Sequence, residues 1–199
     1  MARLAEGERE AILSETRAGL LRAAADEFAR NGFSAANVNA IAAAAGFAVG
    51  TLYNHFPNKR AVMDALIDHV ALAQTSAIRE SVGQERDPRR RLLRFFEAGF
   101  RFVEDNPSEA RVAIGAAYGA DLDFRNRLYQ AYDELFTLII EDILVAGQKS
   151  NDFRKTDPYT TAALIMSVYL GASSQVDDDG KIWLEPRQVA RFVRQGIER

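Results

Sequence analysis

Cysteine is absent from the 199 residues, which excludes a disulfide framework, a thiolate metal site and a thiol nucleophile. Histidine is nearly absent. His55 and His69 are the only two, with no Glu-x-x-His, so the ligands of a di-metal helical bundle are lacking. No phosphate-cradling glycine loop, nucleophile elbow or zinc motif occurs either. The expectation is therefore a protein that is not an enzyme and takes no cofactor or metal. No apolar run has the length of a membrane span, and Arg3, Glu6, Glu8 and Arg9 lack the charge pattern of a secretory leader. A soluble, cytoplasmic protein with no membrane partner is expected.

One further scarcity is local. Between residues 28 and 63 there is no aspartate or glutamate, while Arg30, Lys59 and Arg60 lie in that window. The net charge of the chain is −3, so the acids are concentrated elsewhere. A short cationic window in an acidic chain suits a small phosphate-contacting module on a larger body. An acid-free stretch also arises by chance where alanine is abundant, so charge alone does not decide.

What is present is helical periodicity, with 48% hydrophobic residues to build cores and no alternating strand pattern. A first helix carries Leu13, Leu20, Ala24 and Phe28 on one face, and Asn31-Gly32-Phe33 reads as its stop. Asn37 caps a short second helix with Val38, Ile41, Ala42 and Ala45 inward, and Gly46 ends it. A third helix begins near Ala48. Asn58, after Pro57, caps a fourth with an inward stripe of Val62, Leu66, Val70, Ala73 and Ala77. Asp87-Pro88, Asn106-Pro107, Asp121, Pro158 and Glu185-Pro186 open five more, with a polar connection over residues 147–157. Asp177-Asp178-Asp179-Gly180 lacks the alternating ligands of a calcium loop and reads as a solvated turn. The fold class is all-α, about nine helices. The division expected is a helix-turn-helix DNA-binding domain over 1–56, a connecting helix over 57–82, and an effector-binding and dimerisation domain over 83–199.

Residues 37–56 carry the functional signal. Two short helices joined by a glycine turn and braced by a longer helix form the helix-turn-helix plan. Leu52 and Phe56 stand at i and i+4 and face inward. Thr51, Tyr53, Asn54 and His55 are left to project outward with hydroxyl, amide and imidazole groups that suit phosphates and base edges. A purely structural interaction protein would account for the helices but not for this polar-tipped third helix.

The run from Leu20 through Ala24, Phe28 and Asn31-Gly32-Phe33 resembles the first-helix signature of the TetR family. Ile41-Ala42, Ala45-Gly46, Gly50-Thr51-Leu52-Tyr53, His55-Phe56 and Lys59 are similar to that family's core motif in order and spacing. The resemblance implies a transcriptional regulator, commonly a ligand-responsive repressor, that binds a palindromic operator in double-stranded DNA as a homodimer. It implies phosphate contacts from Tyr53 and Lys59 and one near the Asn37 cap. Thr51 and Asn54 would face bases or adjacent phosphates, and His55 the backbone. Ala48 stands where a serine cap is usual, and Val49 replaces a basic or polar residue and could meet a thymine methyl. Arg60 and Ala61 replace acids often found after the lysine. Beyond residue 78 the resemblance is architectural only.

Two further sites are expected in the body. Leu66, His69, Phe96, Phe100, Tyr118, Tyr132 and Tyr169 are candidates for an effector pocket, although such aromatics are more often core and His69 reads first as a satisfied buried histidine. Apolar walls tipped by tyrosine hydroxyls would suit an unknown small hydrophobic or aromatic effector. Tyr169, Gly171, Val189, Phe192, Val193 and Ile197 on the last two helices are candidates for the dimer interface.

Overall fold

The structure, a computed structural model, describes residues 6–177 and 180–198. Asp178 and Asp179 of the acidic turn, and Arg3 near the start, lie outside the described residues. Among those described, helix dominates, and the extended pairing consists of two isolated bridges, Phe153–Glu198 and Val176–Ile182.

Helix α1 (Glu6–Ala35) is broken where expected: Gly32 takes φ 69°, and Phe33–Ala35 form a further turn. Leu20, Ala24 and Phe28 are buried, but Leu13 is exposed, at the edge of a shallow cleft that α1 shares with Asn54 and His55. Helix α2 (Val38–Ala44) starts at Asn37, whose side chain accepts from the Asn39 N–H, and ends at Gly46 with φ 79°. Helix α3 (Val49–His55) starts at Ala48 without a side-chain cap. Helix α4 (Lys59–Gly83) is capped by Asn58, whose carbonyl accepts from the Ala61 N–H at 2.9 Å.

In the body, α5 (Pro88–Asp105) and α6 (Pro107–Tyr118) follow, with Asp87 capping α5. Asn106 forms no cap for α6; its amide donates back to the Phe102 carbonyl and closes α5. Helices α7 (Leu122–Ala131) and α8 (Asp133–Leu138) meet at Tyr132 and run on through a π-helical turn (Ile139–Val145) into α9 (Ala146–Lys149). Taken as one bent rod this series makes nine helical rods in the described residues, the number the periodicity predicts. Helices α10 (Pro158–Ser173) and α11 (Pro186–Ile197) complete the chain.

Two apolar clusters share α4 as a spine. The first gathers Leu20, Ile41, Leu52, Val62 and Leu66, and extends to Val112, Phe124 and Leu128 of α6 and α7. The second gathers Ile78, Phe95, Phe96, Ile139, Ile143, Ile165 and Val189. The inward stripe of α4 departs from the simple reading. Ala77 is exposed and Ala73 half-buried; Gln74, Thr75 and Ile78 are buried instead. The connection over 147–157 is not wholly polar, since Phe153 is buried and packs where Gly147 leaves room.

Four arginine–carboxylate pairs, made by three arginines, fasten α4 along the α7–α8 rod. Arg60 meets Asp121 at 3.3 Å and Asp123 at 3.0 Å, Arg127 pairs with Asp68, and Arg79 meets Glu134 at 3.0 Å. Asp121 also caps α7, and the Phe124 N–H holds its carboxyl below the usual range, helped by Arg60. Such exposed pairs contribute little each. Their value is in fixing the lengthwise register of the two helices.

Candidate nucleic-acid interface and ligand cavity

The third helix presents what its spacing predicts. Leu52 and Phe56 are buried, at 0% and 2% exposure, and hold α3 against α1 and α2. Tyr53 and Asn54 are exposed, and Thr51 and His55 half-exposed. Val49 stands at the solvent-facing start of α3, and Asn37 is exposed at the cap of α2. All six lie on the helix-turn-helix and are open to an outside partner.

Lys59 is placed differently. Its Nζ donates to the carbonyls of Ser34 at 2.9 Å and Ala36 at 3.1 Å, and sits 5.0 Å from the Phe33 ring centre. Two of its three N–H bonds are thus committed to the end of α1, and the charge is held beside the module rather than swinging free. Its first structural work is to fasten the start of α4 to the loop before α2.

Two residues escape the sequence reading. Glu27 is buried, and its carboxylate accepts the Asn37 N–H at 2.9 Å. That bond holds its pKa below the usual carboxylate range. It is the last acid before the acid-free window, and it faces inward to set the α2 cap. Arg17 lies 5.3 Å from the centre of the Phe56 ring and lines a shallow cleft with Asn54 and His55. It extends the cationic window backwards along α1, where helical periodicity alone gave it no signal.

In the body a cavity of about 390 Å³ opens between α4, α5, α6, the α7–α8 rod and α10. Val70, Phe102, Ile114, Leu128, Phe136, Met166 and Leu170 form apolar walls, with Gln74, Tyr132, Tyr169 and Ser173 as polar points and Ser167, whose hydroxyl donates to the Ala163 carbonyl, at the exposed edge. Among the lining residues Asp133, exposed at the rim, is the one charged group. Of the seven pocket candidates, Tyr132 and Tyr169 line this space. Phe96 and Phe100 do not: at 0% and 2% exposure they pack behind Tyr169, whose ring stacks on Phe100 at 5.9 Å. Leu66 belongs to the core around the head. Tyr118, at the end of α6, is 63% exposed and turned outward. His69 is half-buried away from the lining, and burial lowers its pKa, with Arg17 acting in the same direction.

Three of the polar points are joined in a chain. Tyr132 Oη donates to Gln74 Oε1 at 2.5 Å, Gln74 Nε2 donates to Tyr169 Oη at 2.7 Å, and Tyr169 Oη donates to the Gly99 carbonyl at 3.1 Å. Burial raises both phenols well above their ordinary pKa, so they stay protonated. The chain ties α8's start, α4, α10 and α5 together through side chains.

The candidate dimer residues are mostly occupied within the chain. Tyr169, Val189, Val193 and Ile197 are each 8% exposed or less, the last three on the face of α11 that meets α5. Phe192 is 67% exposed, and Gly171 has open space beside it. On α10, Thr160, Leu164, Ser167 and Gly171 fall at heptad-like spacing along its outer side, with Ser174 at its C-cap.

A head built this way on a helical body defines a class, the helix-turn-helix regulators. Residues 20–66 match the model of the bacterial regulatory proteins of the tetR family. A nucleoid occlusion factor SlmA from Marinobacter nauticus is 32% identical over 160 residues, covering 80% of this chain and 74% of the relative. Among solved structures, the fatty acid degradation regulator FadR from Bacillus halodurans aligns with a TM-score of 0.81 at 20% identity, covering 91% of this chain and 95% of that one. FadR from Bacillus subtilis, in complex with stearoyl-CoA, aligns at 0.79 with 18% identity, covering 91% and 99%. The chain belongs to the TetR family and is a DNA-binding transcriptional regulator.

Proposed function

We propose that this regulator is a repressor that binds a palindromic operator as a homodimer and changes its operator affinity when a small apolar molecule fills the body cavity. One observation carries the reading. Helix α4 begins at Lys59, fastened to the helix-turn-helix, and its Val70 and Gln74 line the cavity. A ligand that favours one position of α4 over another must therefore favour one placement of the head. Asn37, Val49, Thr51, Tyr53, Asn54, His55 and Lys59 are assigned to the DNA, Tyr53 and Lys59 to phosphates. The head of this reading spans 1–56, the link 57–82 and the responsive body 83–199. That the Bacillus subtilis protein forms a complex with stearoyl-CoA, a molecule with a long apolar chain, supports an apolar occupant.

The test is selection of bound sites from a random duplex library, followed by titration of the selected site over a salt series. A palindrome with half-sites about 34 Å or a small multiple apart, bound with a steep salt slope, is the expected result. No enriched site would remove the reading. A second reading, a DNA-bound factor that needs no ligand, draws on the name of the Marinobacter relative. It predicts operator affinity indifferent to every cavity ligand.

A further inference from the structure

The direction of the hydrogen-bond chain at the cavity is fixed by its far end. The Gly99 carbonyl can only accept, so the Tyr169 hydroxyl must spend its hydrogen there. Tyr169 then receives its other bond from the Gln74 amide N–H, which turns the Gln74 oxygen towards Tyr132. That oxygen can only accept, so the Tyr132 hydrogen is spent on it. Tyr132 Oη therefore offers the cavity lone pairs alone. Ser173, 2% exposed, lines the same cavity, and its hydroxyl interacts with that of Tyr169. No lysine, arginine or histidine lines the space, and Asp133 stands at the rim.

We propose that the cavity selects a neutral apolar molecule carrying a hydroxyl group, which donates to Tyr132 Oη. An ether of the same skeleton cannot donate and leaves Tyr132 unmatched in a dry site, a loss that discriminates strongly. A carboxylate must be desolvated with no cation to meet it and passes Asp133 on entry. Tyr132 is thus the specificity-determining residue, and Gln74 on α4 is what senses its engagement. The inference rests on the reading of this cavity as the effector site.

The experiment is calorimetric titration of the full chain with matched probes on two skeletons: decanol, decyl methyl ether and decanoate, then naphthol, methoxynaphthalene and naphthoate. On at least one skeleton the alcohol should bind about tenfold tighter than its ether and its acid, a difference of about 1.4 kcal/mol. Tyr132→Phe should erase the advantage over the ether, while Tyr129→Phe, on the same wall but exposed, should keep it. Equal binding of ether or acid, no binding on either skeleton, or an alcohol preference that survives Tyr132→Phe overturns the proposal. Operator titration with the same probes separates the two ideas. If the alcohol binds selectively but operator affinity is unmoved, the ligand chemistry stands and ligand control of DNA binding fails. If operator affinity moves with ether and acid alike, ligand control stands and the hydroxyl preference fails.

Discussion

The ring of Tyr169 occupies the space that a side chain at Gly99 would need: a Cβ there would lie 2.6 Å from Tyr169 Cε2 and 2.9 Å from its hydroxyl oxygen. Both the ring packing between Phe95 and Phe100 and the bond to the Gly99 carbonyl depend on that gap. Gly99→Ala should therefore destabilise the chain by about 1–3 kcal/mol through overpacking, despite the better helix propensity of alanine. Chemical denaturation reads this directly. A variant as stable as the parent, or more stable, would show that the ring moves aside freely.

The lysine next to the recognition helix has two roles that can be separated. Lys59→Ala should weaken binding about equally on all duplex sequences and lower the salt slope by roughly one unit. Because its ammonium also bonds the Ser34 and Ala36 carbonyls, it should cost stability as well, about 1–2 kcal/mol. Tyr53→Phe, at a side chain 49% exposed, should weaken DNA binding and leave stability within about 0.5 kcal/mol. Full stability in Lys59→Ala would mean that the two carbonyl bonds contribute nothing. An unchanged salt slope would remove Lys59 from the DNA.

These two predictions mark what the sequence discloses. Helix ends such as Gly32, Gly46, Asn37 and Asn58 are legible because a cap or a left-handed glycine is decided by the residue itself and its immediate neighbours. The inward pair Leu52 and Phe56 is legible for the same reason. The cavity is not. Phe96 and Phe100 are as aromatic as Tyr132, and only the packing of α5 against α10 decides that they back the wall rather than form it. Likewise Val189, Val193 and Ile197 make a clear apolar stripe, but a stripe says that a face is covered, not by which neighbour. Here α5 of the same chain covers it. Gln74 carried a signal that could have been read: an uncharged polar residue on the buried side of a long helix needs partners.

His69 gives the chain a pH dependence whose sign follows from its surroundings. Burial lowers its folded pKa from 6.5, with Arg17 and Arg22 acting in the same sense and Glu109 opposing. Above 6.5 both folded and unfolded chains hold it neutral, so it adds no slope. Below 6.5 the unfolded chain takes up the proton first, so stability falls as pH drops towards the folded pKa. Denaturation measured between pH 7.5 and roughly 5.5 should show this decline, and His69→Gln should flatten it. A decline that persists unchanged in His69→Gln would assign the proton uptake to other groups.

The dimer assigned above can be tested at a residue that does no work inside the chain. Phe192 is 67% exposed, and the α11 face towards α5 is built from Val189, Val193 and Ile197 instead. In the proposed dimer Phe192 would meet the partner chain in an isologous four-helix contact, with the open space at Gly171 on α10 letting a partner helix approach closely. Phe192→Glu should therefore leave the unfolding midpoint of the isolated chain nearly unchanged and place two carboxylates against each other across the two-fold axis. Light scattering should then report a monomer at micromolar concentration. Operator binding should fall on the order of a hundredfold or more, because each head would bind its half-site alone. Affinity for a single half-site should stay as it was, since Phe192 lies far along the chain from the helix-turn-helix and touches none of its core. A Phe192→Glu protein that remains dimeric would move the interface to another face of the body.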